Sequence, residues 1–177
     1  MATDQGSDRG PERTPVPKDR PASVLSVERI THQDVPAICT LYKHVWETEP
    51  AGIPPELLKA WQPTPLEFTS WMEGVTYFAA RRDGRLVGVI GCELWHGSCH
   101  LVRLAVESDA RRQGVATALL GAALEWAKRS NSPAVWVDAH DRFTGAALLF
   151  KRLGFTESGI LHRHDFGEDV RFFERIL

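Results

Sequence analysis

Apolar residues recur along the early chain as Val35, Ile38, Cys39, Tyr42, Val45 and Trp46, the three-and-four spacing of a helix that buries one face. Thr31 stands ahead of that run with Asp34 three residues on, close to a capping box, so a helix is expected to continue to about Glu47. The preceding "VLSVERI", from Val24, suits a strand. Prolines bracket a short helix from Pro55 to Trp61, and a further helical piece spans Leu66 to Met72. The stretch "EGVTYFAARRDGRLVGVIGCELWHGSCHLVRLAV" reads as β throughout, with Asp83-Gly84 as a hairpin turn and "HGSC" as a second, weaker one. Ala116 to Lys128 then carries Ala116, Leu119, Leu120, Ala123, Leu124 and Ala127 on one face. "AVWVDAH" reads as a buried strand. Thr144 is placed to cap a helix from Gly145 to Leu153, stopped by Gly154. Two last strands, about Thr156 to His164 and Val170 to Leu177, join through "FGED". Antiparallel hairpins around a central β-α-β imply a mixed α/β (α+β) sheet with helices on both faces.

Composition narrows the class. The 177 residues suffice for one domain with a core, and 43% hydrophobic against 25% charged is the balance of a soluble chain. A net charge of −2 argues against a general nucleic-acid binder. No apolar run approaches the roughly 18 residues that would span a membrane, and the start lacks an apolar signal core. Cys39, Cys92 and Cys99 make no disulfide framework, so a cytoplasmic setting is expected. Residues 1–22 are rich in Pro, Gly and charge, and are expected to be a disordered tail ahead of a domain at 23–177.

"RRQGVATALL", residues 111–120, follows directly on the apolar strand "HLVRLAV". A strand that turns into a helix N-terminus makes an anion site, because the first helical N–H groups have no intrahelical partner. Gly114 permits a left-handed backbone, and Arg111 and Arg112 add charge for a phosphate. A P-loop would need Gly-Lys-Ser/Thr, and a dinucleotide fingerprint three glycines; neither is present. The remaining pattern, with Arg111, Gly114 and Ala116 at its three positions, resembles the pyrophosphate loop of the GNAT superfamily of acetyl-CoA-dependent N-acetyltransferases. "AALLFKRLGF", Ala146 to Phe155, is similar to that family's second motif at the expected distance.

The resemblance covers about residues 24–177 and implies the family's mostly antiparallel twisted sheet and acetyl-CoA as co-substrate. It implies that the fourth and fifth strands splay, with Leu104, Ala105 and Val106 along the pantetheine arm and one of their N–H groups facing the thioester oxygen. It implies that Arg111, Arg112, Gln113, Gly114, Val115, Ala116 and Thr117 hold the pyrophosphate. Phe150 is expected to pack on the pantetheine and Lys151 to meet a nucleotide phosphate. Phe150 stands where many members carry a tyrosine acid, and Phe143 where an asparagine is common.

An alkyl amine with a pKa of roughly 10.4 is almost wholly protonated at pH 7, so a base is useful. The similarity to arylalkylamine acetyltransferases makes His100 the first candidate; a strand glutamate, Glu93, is the second. With "HGSC" as a four-residue loop, Trp95 faces His100 and Glu93 faces Val102, which makes Glu93 and His100 diagonal neighbours on one side of the sheet. The plainer readings are a loop-edge histidine and a salt-bridged glutamate. Trp46, Trp61 and Trp71 fall where the family builds its acceptor site, as an aromatic wall or as core. Cys92, His96, Cys99 and His100 lie within nine residues, but the spacing is not that of a finger or ribbon, and no metal site is expected. His162, His164 and Asp165 read first as solvated surface. The expected activity is direct acetyl transfer to the primary amine of a small molecule, by a monomer or homodimer with no nucleic-acid or membrane partner. A protein N-terminal or lysine acceptor and a non-catalytic acetyl-CoA-binding domain are the alternatives. A pocket closed by the tryptophan-bearing segment favours the small molecule; an open groove favours a peptide.

Overall fold

The computed structural model describes residues 23–48 and 52–177, so the expected tail at 1–22 lies outside the described residues. Strand β1 (Leu25–Arg29) leads through a 3₁₀ turn, His32–Asp34, into α1 (Val35–Glu47). The capping box between Thr31 and Asp34 forms at that turn. α2 (Pro55–Trp61) and α3 (Pro65–Trp71) follow, the latter opened by a second box between Thr64 and Glu67. Then come β2 (Thr76–Arg82), β3 (Arg85–Trp95) and β4 (Ser98–Val106). The second half holds α4 (Val115–Arg129), β5 (Ala134–His140), α5 (Thr144–Arg152), β6 (Thr156–Asp165) and β7 (Glu168–Ile176). Thr144 is the first residue of α5 rather than its cap; Phe143 precedes it and offers no capping side chain.

The strands form one sheet in the order β1-β2-β3-β4-β5-β7-β6, antiparallel throughout except for β4 with β5. Two apolar clusters fill its two faces. α4 and α5 cover one face through Leu119, Leu120, Ala123 and Phe150; α1 and α3 cover the other through Ile38, Tyr42, Val45 and Phe68. The mixed sheet with helices on both faces is thus as the pattern predicts. No helix among the described residues is long and apolar enough to cross a membrane.

Two local features shape the sheet's middle. The β3–β4 turn is His96-Gly97 alone, with both residues at positive φ (48° and 89°). This corrects the four-residue "HGSC" loop: Trp95 pairs with Ser98 and Glu93 with His100. The register moves by two residues, so Glu93 and His100 stay on one face and become direct partners rather than diagonal ones. Further along, Gly91 pairs with Val102 and Val89 with Ala105, which leaves Arg103 and Leu104 together opposite Ile90. This is a bulge, with Arg103 at φ 55°. The buried Tyr42 hydroxyl donates to the Arg103 carbonyl at 2.7 Å and ties the bulge to α1. Burial pushes the Tyr42 phenol well above its usual range, so it stays a donor. Gly91 allows the close approach: a Cβ there would lie 2.7 Å from Val102 Cγ2 and 2.8 Å from Tyr77 Cε1.

Candidate active site

The bulge bends β4 away from β5. Their pairing runs through Cys99–Val135, His100–Trp136 and Leu101–Val137, and stops there. Beyond that point the strands part, and their facing edges line a cleft of about 1010 Å³. Its floor includes Leu104, Ala105 and Val106; its far end includes Arg111, Arg112, Gly114, Val115, Ala116 and Thr117.

That end is an anion cradle. Arg112 and Gly114 both have positive φ, 60° and 82°, and such alternation turns consecutive N–H groups toward one concavity. Gly114 leads directly into α4, whose first internal bond runs from the Ala118 N–H to the Gly114 carbonyl. Among the described residues no backbone acceptor serves the N–H groups of Val115, Ala116 and Thr117. Arg111 folds back so that its Nε donates to the Val106 carbonyl at 3.1 Å. Gln113 does not line the cleft; it donates to the Asp109 carbonyl at 2.6 Å and is held by Arg82, bracing the loop from outside. Lys151 is also outside, paired with Glu157 at 3.0 Å, while its neighbour Arg152 reaches the lining. Phe150 meets the cleft from the core, 5.5 Å from Phe173 and 5.9 Å from Phe155. The unpaired N–H groups, the arginines and the parted strand edges fit an elongated ligand with a diphosphate at one end and amides along its length.

One pair before β4 and β5 separate, His100 lies between two carboxylates. Its Nδ1 is 2.8 Å from Glu93 Oε1 and its Nε2 is 2.8 Å from Asp138 Oδ1. The ring stacks flat on Trp136, with centroids 3.5 Å apart and planes 3° apart. Carboxylates only accept, so both bonds form when each ring nitrogen carries a hydrogen. The ring is only 15% exposed, against 29% for Glu93 and 38% for Asp138, so the carboxylates are what an incoming amine meets. The "AVWVDAH" strand supplied Asp138 without any sequence signal beyond its alternation with Trp136 and His140. Cys92 and Cys99 are buried in the α4-side core, on the face opposite His100.

Aromatic rings line the cleft and touch one another. Trp46 of α1 and Trp61 of α2 have centroids 4.5 Å apart. Across the gap, Phe143 lies 5.9 Å from Trp46 and 5.8 Å from Trp61, and His140 meets Trp61 edge-on at 5.0 Å. Trp71 sits at the other side, with the Arg103 guanidinium 3.9 Å above its ring. All three sequence-predicted tryptophans therefore line the cleft. Asp165 joins them, bonded to His140 Nε2 at 3.1 Å, whereas His162 is exposed and pairs with Asp169. Tyr42, Arg103, His140 and Phe143 also line the cleft.

Comparison with known proteins agrees with this geometry. An N-alpha-acetyltransferase of Sulfurisphaera tokodaii is 33% identical over 108 residues, 53% of this chain and 65% of that protein. An uncharacterized N-acetyltransferase of Methanocaldococcus jannaschii is 31% identical over 94 residues, 48% of this chain and 41% of that protein. The chain thus matches between two fifths and two thirds of these relatives' lengths. Among solved structures, the ribosomal-protein-alanine N-acetyltransferase of Brucella melitensis superposes with a TM-score of 0.73 at 23% identity, covering 86% of this chain and 99% of that one. The PaiA N-acetyltransferase of Thermoplasma acidophilum, in complex with coenzyme A, gives 0.73 at 15% identity, covering 87% and 99%. The family model for the acetyltransferase (GNAT) family matches residues 38–155, the span from α1 through the end of α5 that builds the cleft, and this chain belongs to that family.

Proposed function

We propose that this chain transfers the acetyl group of acetyl-CoA to a primary amine of a small molecule by direct attack, without a covalent enzyme intermediate. The observation that carries the reading is the His100 ring held between Glu93 and Asp138, one pair before the strands part, in a cleft lined by aromatic rings. Acetyl-CoA supplies the acetyl group as a thioester. The α4 N-terminus and the arginines at 111 and 112 hold its diphosphate. The edge from Leu104 to Val106 bonds its amides, and an N–H of that edge faces the carbonyl oxygen as negative charge develops there.

Glu93 and Asp138 attract the amine as its ammonium ion and take up its proton. His100 holds both carboxylates in place and spreads the charge between them. The nitrogen–carbon bond forms as the carbon–sulfur bond breaks. Phe150 has no proton to give, so the departing thiolate takes its proton from solvent, and the second proton that the nitrogen loses on becoming an amide passes through the carboxylates to solvent; a thiol of pKa about 8.5 leaves adequately without an acid. Trp46, Trp61 and Trp71 bind the acceptor's apolar body, and their rings favour a cation among them.

The test is thiol release from acetyl-CoA over a panel of primary amines. Turnover that rises with the amine supports the reading; acetyl-CoA binding with no turnover for any amine or peptide points to a binding module instead. A second reading, the N-terminal amine of a protein, is favoured by the match to an N-alpha-acetyltransferase. It predicts that peptides with free N-termini outcompete small amines. The contact of Trp61 with Phe143 and His140 across the cleft supports the small acceptor.

A further inference from the structure

Two buried polar atoms beneath Trp61 lack any partner among the described residues: the indole Nε1 of Trp46 and the Nδ1 of His140. Buried polar groups are nearly always satisfied, and two such atoms in one aromatic cluster call for a reason. Phenylalanine at either position would supply a similar ring with no unpaired atom. Their chemistry is complementary. Trp46 can only donate. His140 is 7% exposed and directs Nε2 to the Asp165 carboxylate, which only accepts, so Nε2 carries a hydrogen and Nδ1 is the ring atom left to take a donor.

Resting on the acetyltransferase reading above, we infer that Trp46 and His140 form a second recognition point for the acceptor, one that takes a neutral group able both to accept and to donate a hydrogen bond, such as a hydroxyl or an amide. An anion would leave the His140 Nδ1 without a donor and would meet Asp165 on the same lining, where Arg142 is held by Glu168. A second ammonium would leave the Trp46 N–H without an acceptor. Trp61 lies 4.5 Å from Trp46 and edge-on at 5.0 Å to His140. A shift of the Trp61 ring admits the acceptor's polar group, and the ring then packs on the acceptor's apolar body. His140 lies two residues beyond Asp138 on the same face of β5, so the two ends of the acceptor are separated by roughly 6–7 Å along the strand.

The experiment compares linear amino alcohols and amino amides with alkylamines of the same carbon count, using the whole chain and acetyl-CoA. The wild type is expected to show a preference of about tenfold or more in kcat/KM for the polar member of the best-fitting pair, the scale of one buried hydrogen bond left unmade. Trp46→Phe and His140→Phe each bring that ratio toward one, and His140→Asn, which keeps a polar atom near the Nδ1 position, restores part of it. The ratio is taken within each variant, so a general loss of rate does not affect it, and a coenzyme A titration checks that each variant is folded. A wild-type ratio near one at every length overturns the inference, as does a ratio that survives both phenylalanine variants. Transfer to alkylamines with no polar preference leaves the acetyltransferase reading standing while this inference falls; no transfer to any amine removes both.

Discussion

Removing one hydroxyl tests how the sheet opens its cleft. Tyr42→Phe keeps the ring, which lies 6.1 Å from Phe68, and deletes the 2.7 Å bond to the Arg103 carbonyl. That carbonyl belongs to the bulge residue at φ 55°. Leaving it unpaired costs about 2 kcal/mol, which in a domain of this size is a loss of roughly 4–8 °C in Tm. The left-handed conformation of Arg103 stores about 1 kcal/mol more, and without the tether the bulge can relax toward regular pairing. Restoring the parted geometry on binding then weakens coenzyme A by about fivefold. Thermal melts with and without coenzyme A, together with calorimetric titration, read both numbers. Unchanged melting and unchanged affinity would mean that the bulge needs no tether from α1, and the reasoning would be wrong.

Other predictions follow from the same geometry. Glu93→Gln and Asp138→Asn each lower kcat by about 10²–10⁴ with little change in coenzyme A affinity; steady-state kinetics with the best amine decides this. Gly91→Ala drives a methyl group into Val102, Tyr77 and Val75 and costs about 1–3 kcal/mol in denaturant melts. Gly114→Ala meets nothing within 4 Å and costs only the left-handed backbone, about 1–2 kcal/mol. The Asp34 carboxyl is held below its usual range by the Thr31 backbone N–H, with Thr31 and Arg81 side chains adding to the effect. Because that pKa is lowered on folding, its stabilisation is full at neutral pH and is lost as pH falls through the depressed value. Asp34→Asn should therefore lower Tm at neutral pH and flatten the acid side of a Tm–pH curve.

What could be read from the sequence was what local rules govern. The periodicity of α1 and α4, the Asp83-Gly84 turn and the glycine at the α4 entrance each depend on a few neighbouring residues. The pairing of Glu93 with His100 was half legible. Strand alternation put them on one face, but the turn length was misjudged, because His96 accepts a left-handed conformation that a non-glycine residue seldom adopts. An error of two residues preserves the face, so the shared side survived while the exact partner did not. Asp138 and His140 were missed as site residues. Their alternation with Trp136 was visible, but their meeting with His100 and Trp61 depends on the parallel β4–β5 register and on the placement of α2, both long-range. Lys151 and Arg152 differ by one helical step of about 100°, enough to turn one away from the cleft and the other toward it. The role of Trp46 beyond core or wall was not legible, since only the packed structure leaves its indole N–H unmatched.

The central claim is that the corner between β4 and α4 grips the diphosphate of acetyl-CoA and lays the thioester beside Glu93, His100 and Asp138. Calorimetric titration of acetyl-CoA into the folded chain tests it most directly. The account predicts saturable one-to-one binding that weakens when the charges of Arg111 and Arg112 are reversed. No heat from protein shown to be folded, or binding that is indifferent to those reversals, would contradict it.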